Sequence, residues 1–279
     1  MTEERIINIG HSPDPDDAFM FYGLSSGKVK MENITIHHEL QDIQTLNQRA
    51  LNGELDVTAI SAHAYPYVAD KYWILRTGAS MGEGYGPVLI SKHYSTLESL
   101  RGKTIATPGP LTTANLLFHL FTEEIYCVDI PFDKIMNSVA SGEFAGGVLI
   151  HEGQITYTSE GFTKVVDFGE LWKQRFGNLP LPLGLDVVKK SLGRELAEKI
   201  SEGLRESIRY GYTHQDEAIP YSLQYGRGIE PALGKKFVSM YVNELTVDMG
   251  DRGEKALQTL FSLANEKHIL PPAPCFELL

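Results

Sequence analysis

The sequence is poor in cysteine and in positive charge, and it has no long apolar run. Cys127 and Cys275 are its two cysteines, far apart, with no Cys-x-x-Cys pair and no zinc-type spacing. They read as free thiols of a reducing compartment, with a single bridge between them left open. No apolar run approaches the roughly 18 residues of a spanning helix, so no membrane segment is expected. The 25 Lys and Arg stand against 36 Asp and Glu, a formal charge of -11. That balance argues against general binding to nucleic-acid phosphates. An anionic ligand would need a local pocket lined by amides or positive charge. Met1-Thr2-Glu3-Glu4-Arg5 carries no basic segment, no apolar h-region and no small-residue cleavage site. A secretory leader is therefore not expected, and the expected location is cytoplasmic.

What is present is a globular α/β pattern. With 279 residues, 42% of them hydrophobic, the chain can form one large domain or two of ordinary size. Ile6–Ile9 reads as a strand, followed by the loop His11-Ser12-Pro13-Asp14-Pro15-Asp16-Asp17. The prolines restrict that loop, and Asp16 is the expected N-cap of the apolar helix from Ala18 onward. A strand near 34–40 and a helix near 43–51 follow, the helix stopped by Asn52-Gly53. Asp56–Ile60 is a further strand ending at Ser61. The same order then recurs: strand Thr104–Thr107, helix from Thr112-Thr113, strand 125–130, helix 132–140, and strand 145–150 ending at His151. Leu51-Asn52-Gly53-Glu54 answers to Ala140-Ser141-Gly142-Glu143 between the last helix and strand of each set.

This duplicated βαβαβ plan implies two α/β lobes. The expected division is a larger lobe of residues 1–90 plus 188–279 and a smaller one of 91–187. Crossings fall in the glycine-rich stretch 78–87 and in Asn178-Leu179-Pro180-Leu181-Pro182-Leu183-Gly184. The remainder is mostly helical, with apolar positions at Leu196, Ile200, Leu204, Ile208 and Tyr212 at helical spacing. Asp248–Gly253 reads as a turn-rich link, and Pro271-Pro272-Ala273-Pro274 as a stiff surface tail.

Ligands of open α/β sheets bind outside the carboxyl ends of the strands, and often between domains. That rule gathers Ser12, Ser61, Thr112, Thr113 and His151 at one cleft. Gly86 and Pro182, from the two crossings, complete the expected substrate-binding set. Thr112-Thr113 opens a helix, where unpaired amides and the helix dipole favour a carboxylate. His151 is the candidate general base, since imidazole titrates near neutral pH. The Asp14, Asp16 and Asp17 loop lacks EF-hand spacing, and the strand neighbours His37 and His38 point to opposite faces, so no metal is expected. Ser61 lies in no Gly-x-Ser-x-Gly elbow, so an acyl-transfer triad has little support.

Several of these motifs, in order and spacing, resemble the 1,4-dihydroxy-6-naphthoate synthase family of the futalosine route to menaquinone. They are Ser12-Pro13-x-Pro15-x-Asp17 with Phe19, Thr45-Leu46-Asn47, Ser61 with Ala64-Tyr65, and Gly82-x-Gly84-x-Gly86-Pro87. Pro108-Gly109 with Thr112-Thr113, Ile150-His151-Glu152 with Thr156-Tyr157, the Pro180–Gly184 segment, and Tyr241-Val242-Asn243 with Asp248-x-Gly250 complete them. The resemblance covers nearly the whole chain. It implies a periplasmic-binding-protein type 2 fold used as a cytoplasmic, cofactor-independent lyase on cyclic dehypoxanthine futalosine. It implies His151 as general base, and Ser61, Thr112 and Thr113 as pocket residues. The expected partner is a small-molecule carboxylate, with a homodimer left open. Two segments depart from the family pattern. The family carries Pro-Cys-Pro-Asn-Asp where this chain has Pro13-Asp14-Pro15-Asp16-Asp17, and Ser-Arg after the His-Glu pair where it has Gly153-Gln154. Chorismate dehydratase, which shares fold and pathway, and a solute-binding protein without chemistry are the alternative readings.

Overall fold

A computed structural model describes residues 4–226, 228–272 and 275–279. Met1-Thr2-Glu3 at the N-terminus and Ala273-Pro274 of the proline-rich tail lie outside the described residues. The first stretch runs β1 (Arg5–His11), α1 (Pro15–Met20), α2 (Tyr22–Ser25), β2 (Ile34–Leu40), α3 (Ile43–Asn52) and β3 (Val57–Ser61). Two short strands follow, β4 (Tyr72–Ile74) and β5 (Ser80–Gly82). The second stretch is β6 (Val88–Ser91), β7 (Thr104–Thr107), α4 (Thr113–Phe121), β8 (Tyr126–Asp129), α5 (Ile135–Ala140) and β9 (Gly146–Leu149). Then come α6 (Gly153–Thr156), β10 (Thr163–Asp167), α7 (Phe168–Phe176) and β11 (Leu181–Lys189). The chain ends in α8 (Arg194–Thr213), α9 (Gln215–Leu223), α10 (Pro231–Tyr241), α11 (Glu244–Val247) and α12 (Gly250–Glu266).

The strands form two mixed sheets. The first has the order β2-β1-β3-β11-β4, with β5 also paired to β11, and the second has the order β10-β6-β9-β7-β8. In the first, β1 is parallel to β2 and β3, while β11 returns antiparallel beside β3. In the second, β7 is parallel to β8 and β9, and β6 lies antiparallel beside β9. The parallel strands therefore send their carboxyl ends out on one side of each sheet.

Local sequence explains the main element boundaries. Asp42 caps α3 by accepting from Thr45 N at 3.1 Å, and Gly53 ends it in the left-handed conformation, φ 66°. Thr112 caps α4 by accepting from Asn115 N at 3.2 Å. The apolar helix after β1 starts earlier than expected and is broken. Asp14, not Asp16, occupies its N-cap position, with Pro15 in the first turn, where its missing N–H costs nothing. The break at Phe21 frees polar backbone, and α8 supplies the partner. Ser207 Oγ donates to Met20 O at 2.7 Å and accepts from Leu24 N at 3.2 Å. Around that contact Ile200, Leu204 and Ile208 bury the apolar face of α8 against α1 and α2. Each such side chain contributes about 1.5–3 kcal/mol by leaving water.

Four sequence expectations need correction. The glycine-rich stretch 78–87 contains a strand, β5, which pairs with β11. Asn178–Gly184 is not a separate linker, because Leu181 onward already belongs to β11. Asp248–Gly253 is not a link throughout, since Gly250 opens α12. Helix α7 was not anticipated, and α9 lies in the stretch expected to be mostly helical without being delimited there. The cysteines Cys127 and Cys275 are both free. No helix among the described residues is long and apolar enough to cross a membrane.

Candidate functional site

The strand ends converge on one cavity. Ser12 and Asp14 follow β1, Ser61 ends β3, Thr112 and Thr113 follow β7, and His151 follows β9, and all six line it. Gly86 and Pro182 do not line it; their neighbours Pro87 and Leu183 do. Gly86 instead packs on Gly169 and Leu181, where a Cβ would come within 2.8 Å of Leu181 Cδ2 and 3.0 Å of Gly169 N.

His151 stands one residue beyond the buried strand β9 and Ile150, with φ 55°. That left-handed backbone is uncommon for a residue with a Cβ, although histidine adopts it more readily than most. Its Nδ1 lies 2.9 Å from Asp14 Oδ2, a contact between the loop after β1 and the loop after β9. Asp14 is only 2% exposed. With the Nδ1 proton held by that carboxylate, Nε2 is left with its lone pair. Nε2 is buried and has no hydrogen-bond partner in the protein. Phe132 packs edge-on against the ring at 4.8 Å between centroids. Burial disfavours the charged imidazolium, but the carboxylates of Asp14, Asp16 and Glu152 outweigh it and raise the pKa of His151.

The opposite wall is built on α4. The hydroxyls expected to face a ligand are largely engaged with the protein. Thr112 Oγ1 donates to Gly109 O at 2.8 Å, and Thr113 Oγ1 donates to Leu183 O at 2.7 Å. What α4 still offers the cavity is its first backbone amides, which have no intrahelical acceptor. Ser61 differs, because its Oγ accepts from Asn47 Nδ2 at 3.1 Å and keeps its own proton to donate.

Asn47, fully buried in α3, is a residue the sequence reading did not single out for a role. Its Oδ1 accepts from Ser61 N at 2.8 Å, and its Nδ2 also donates to Leu111 O at 3.3 Å. It thereby fixes Ser61 and ties α3 to the loop before α4. Tyr241 and Gln154 were named in the sequence only as a motif residue and as a departure from the family pattern, with no contact between them foreseen. Both line the cavity, and the Tyr241 hydroxyl hydrogen-bonds the Gln154 side chain. With the Gln154 amide oriented to satisfy both ends, its nitrogen donates to Gly86 O at 2.7 Å and its oxygen accepts from His151 N at 3.3 Å.

The charge lining the cavity is lopsided. Asp14, Asp16, Asp17 and Asp186 reach it, and among the described residues no Lys or Arg does. Burial, reinforced by Asp14, raises the pKa of the half-buried Asp16 to about 6, with the His151 charge working against it. Asp17 is raised well above its ordinary value, by burial and then by Asp16, Asp186 and Asp14, although Ser12 N donates to its Oδ2 at 2.6 Å. Burial pushes Asp186 up to about 8. No group of three or more His, Cys, Asp or Glu among the described residues is arranged to hold a metal ion.

A fold of two mixed sheets with a ligand-sized cleft at the strand ends defines a periplasmic-binding-protein class of α/β protein. Solved structures agree at the level of fold. The alkanesulfonate-binding protein of Xanthomonas axonopodis matches with a TM-score of 0.73 over 100% of both chains, at 14% identity. A protein from Archaeoglobus fulgidus is much nearer, at 45% identity and TM-score 0.90 over 95% of this chain and 98% of that one. Sequence comparison is more specific. The chain belongs to the menaquinone biosynthesis family, which matches residues 7–266. Proteins named 1,4-dihydroxy-6-naphthoate synthase are 36% identical in Thermus thermophilus, over 96% of this chain and 97% of that one. In Streptomyces coelicolor the figure is 33%, over 95% of each chain.

Proposed function

We propose that this protein is a cofactor-independent carbon–carbon lyase of menaquinone biosynthesis, converting cyclic dehypoxanthine futalosine to 1,4-dihydroxy-6-naphthoate with His151 as general base. The observation that carries the reading is the state of the His151 ring. Nδ1 is anchored on Asp14 at 2.9 Å, and Nε2 of this cavity-lining residue is buried without a protein partner. A base held in one tautomer and aimed at a pocket is what proton abstraction requires. The family and the names of its relatives support the pathway and the product, and cyclic dehypoxanthine futalosine is the substrate that the family resemblance implies.

In this reading the substrate carboxylate sits at the N-terminus of α4, where the first amides have no intrahelical acceptor. The hydroxyl-bearing part lies on the aspartate wall, where carboxyl oxygens accept its hydrogen bonds. His151 Nε2 withdraws a proton as the carbon–carbon bond breaks. The apolar lining from Ile60, Leu183, Leu185 and Phe237 keeps water from that step. The two sheets then correspond to two lobes around the substrate, and the enzyme works in the cytoplasm. Incubation of the purified protein with cyclic dehypoxanthine futalosine, followed by product chromatography, tests the reading. Appearance of 1,4-dihydroxy-6-naphthoate supports it, and unchanged substrate refutes it.

A further inference from the structure

Asp186 is out of place by every local rule. It sits in Leu185-Asp186-Val187-Val188 of β11, a strand with neighbours on both sides. Aspartate is depleted from strands and rarely buried without a partner. Yet Asp186 is 1% exposed, and its Oδ2 is enclosed with no hydrogen-bond partner. An orphaned buried carboxyl calls for a specific reason. The backbone makes room for it. A Cβ on Gly78 would fall 2.0 Å from Asp186 Oδ2, so only a bare glycine fits beside the carboxyl.

The other three aspartates of the cavity are committed or tuned differently. Asp14 holds His151 Nδ1, Asp17 accepts from Ser12 N, and Asp16 lies under the influence of the His151 charge. Asp186 lines the same cavity as His151, and its Oδ2 takes no hydrogen bond from the protein.

We propose that Asp186 is the general acid of the site, giving its proton to the substrate oxygen that becomes a ring hydroxyl while His151 removes a proton at the other end of the breaking bond. This rests on the lyase reading above. The step balances without a redox partner. Nε2 of His151 takes a proton from a substrate hydroxyl, and the freed oxygen pair forms a carbonyl. The carbon–carbon pair passes into the conjugated ring, and the ring carbonyl oxygen takes the Asp186 proton to become a phenol. One proton is taken and one given, and solvent exchange restores both groups after product leaves.

The electrostatics supply such a donor. Asp17 interacts electrostatically with Asp186, and Asp14, Asp16 and His151 line the same cavity, with no Lys or Arg among the lining residues to stabilise its anion. Burial holds its pKa at about 8, so it is protonated at neutral pH. A carboxylic acid kept neutral by an apolar site is an established way of donating to a developing oxyanion.

The test is the pH dependence of kcat for cyclic dehypoxanthine futalosine, in the wild type and in Asp186→Asn. The wild type should lose activity through a limb near pH 8. Asp186→Asn should turn over about 10²-fold more slowly, with KM changed less than kcat and without that limb. An active wild type whose rate stays level to about pH 10, or a variant with wild-type kcat, overturns the acid role while leaving the lyase reading standing. An inactive wild type overturns the lyase reading itself, and this inference with it. Thermal unfolding gives a readout that needs no substrate. A carboxyl whose pKa is higher in the fold than in the unfolded chain stabilises at low pH, and that contribution is lost as pH rises through about 8. Replacing Asp186 with Asn should therefore flatten the decline of Tm between about pH 4 and pH 8. Identical profiles for the two proteins contradict the proposal.

Discussion

The Nδ1 of His151 lies 2.9 Å from Asp14 Oδ2, joining the loop after the last strand of one βαβαβ set to the loop after the first strand of the other. This contact fixes the imidazole tautomer and raises its pKa. Asp14→Asn keeps the shape but removes the charge. We expect kcat to fall by about 10²-fold or more, because the neutral amide no longer favours a protonated Nδ1 or the imidazolium that forms. The acid limb of the pH–rate profile should also move to lower pH, since the base must be neutral to act and Asn no longer raises its pKa. A variant with an unshifted acid limb removes Asp14 from the role.

The backbone at His151 stores strain, with φ 55°. Glycine tolerates that conformation and alanine does not. Both replacements lose the imidazole, so both lose activity. His151→Gly should nonetheless be more stable than His151→Ala by about 1 kcal/mol in urea unfolding. Equal stabilities indicate that the residue relaxes out of the left-handed region.

Ser61 and Thr113 line the same cavity but should respond differently. Thr113 Oγ1 donates to Leu183 O and accepts from His63 N, so Thr113→Val leaves buried backbone groups unpaired and should cost about 1–3 kcal/mol of stability. Ser61→Ala removes a hydroxyl whose proton is free for the ligand, and Asn47 Nδ2 keeps Leu111 O as an acceptor. It should raise KM with little change in unfolding midpoint. Steady-state kinetics alongside denaturant titration separates the two cases, and a KM effect confined to Thr113→Val reverses the assignment.

Asn47 supports the site from behind. Asn47→Ala leaves Ser61 N without its acceptor at 2.8 Å and breaks the tie to Leu111 O. Expected are a loss of about 2 kcal/mol in stability and a higher KM, measured by calorimetry and by initial rates. A fully stable variant with normal KM shows that Ser61 is fixed by other contacts.

The strand tips could be read from the sequence because their signals are local. Short apolar runs ending at Ser61 and His151, and the Thr112-Thr113 helix start, need only neighbouring residues. Partners could not be read in the same way. The acidic loop after β1 offered only an N-cap and no metal spacing, yet Asp14 is buried against His151 from the loop after β9, which no spacing rule links to it. Asp186 was concealed by the apolar residues around it in β11. Helix α7 was legible in principle. Asp167 accepts from Gly169 N and Glu170 N as an N-cap, and Lys173, Arg175 and Gly177 mark the end of the helix. Helix α9 carries Pro220 inside it, which conceals its period.

The most direct measurement follows cyclic dehypoxanthine futalosine by product chromatography with the wild type and with His151→Ala. The account predicts 1,4-dihydroxy-6-naphthoate from the wild type and formation slowed by about 10²-fold or more in the variant. Unchanged substrate with the wild type, or a variant that matches its rate, contradicts it.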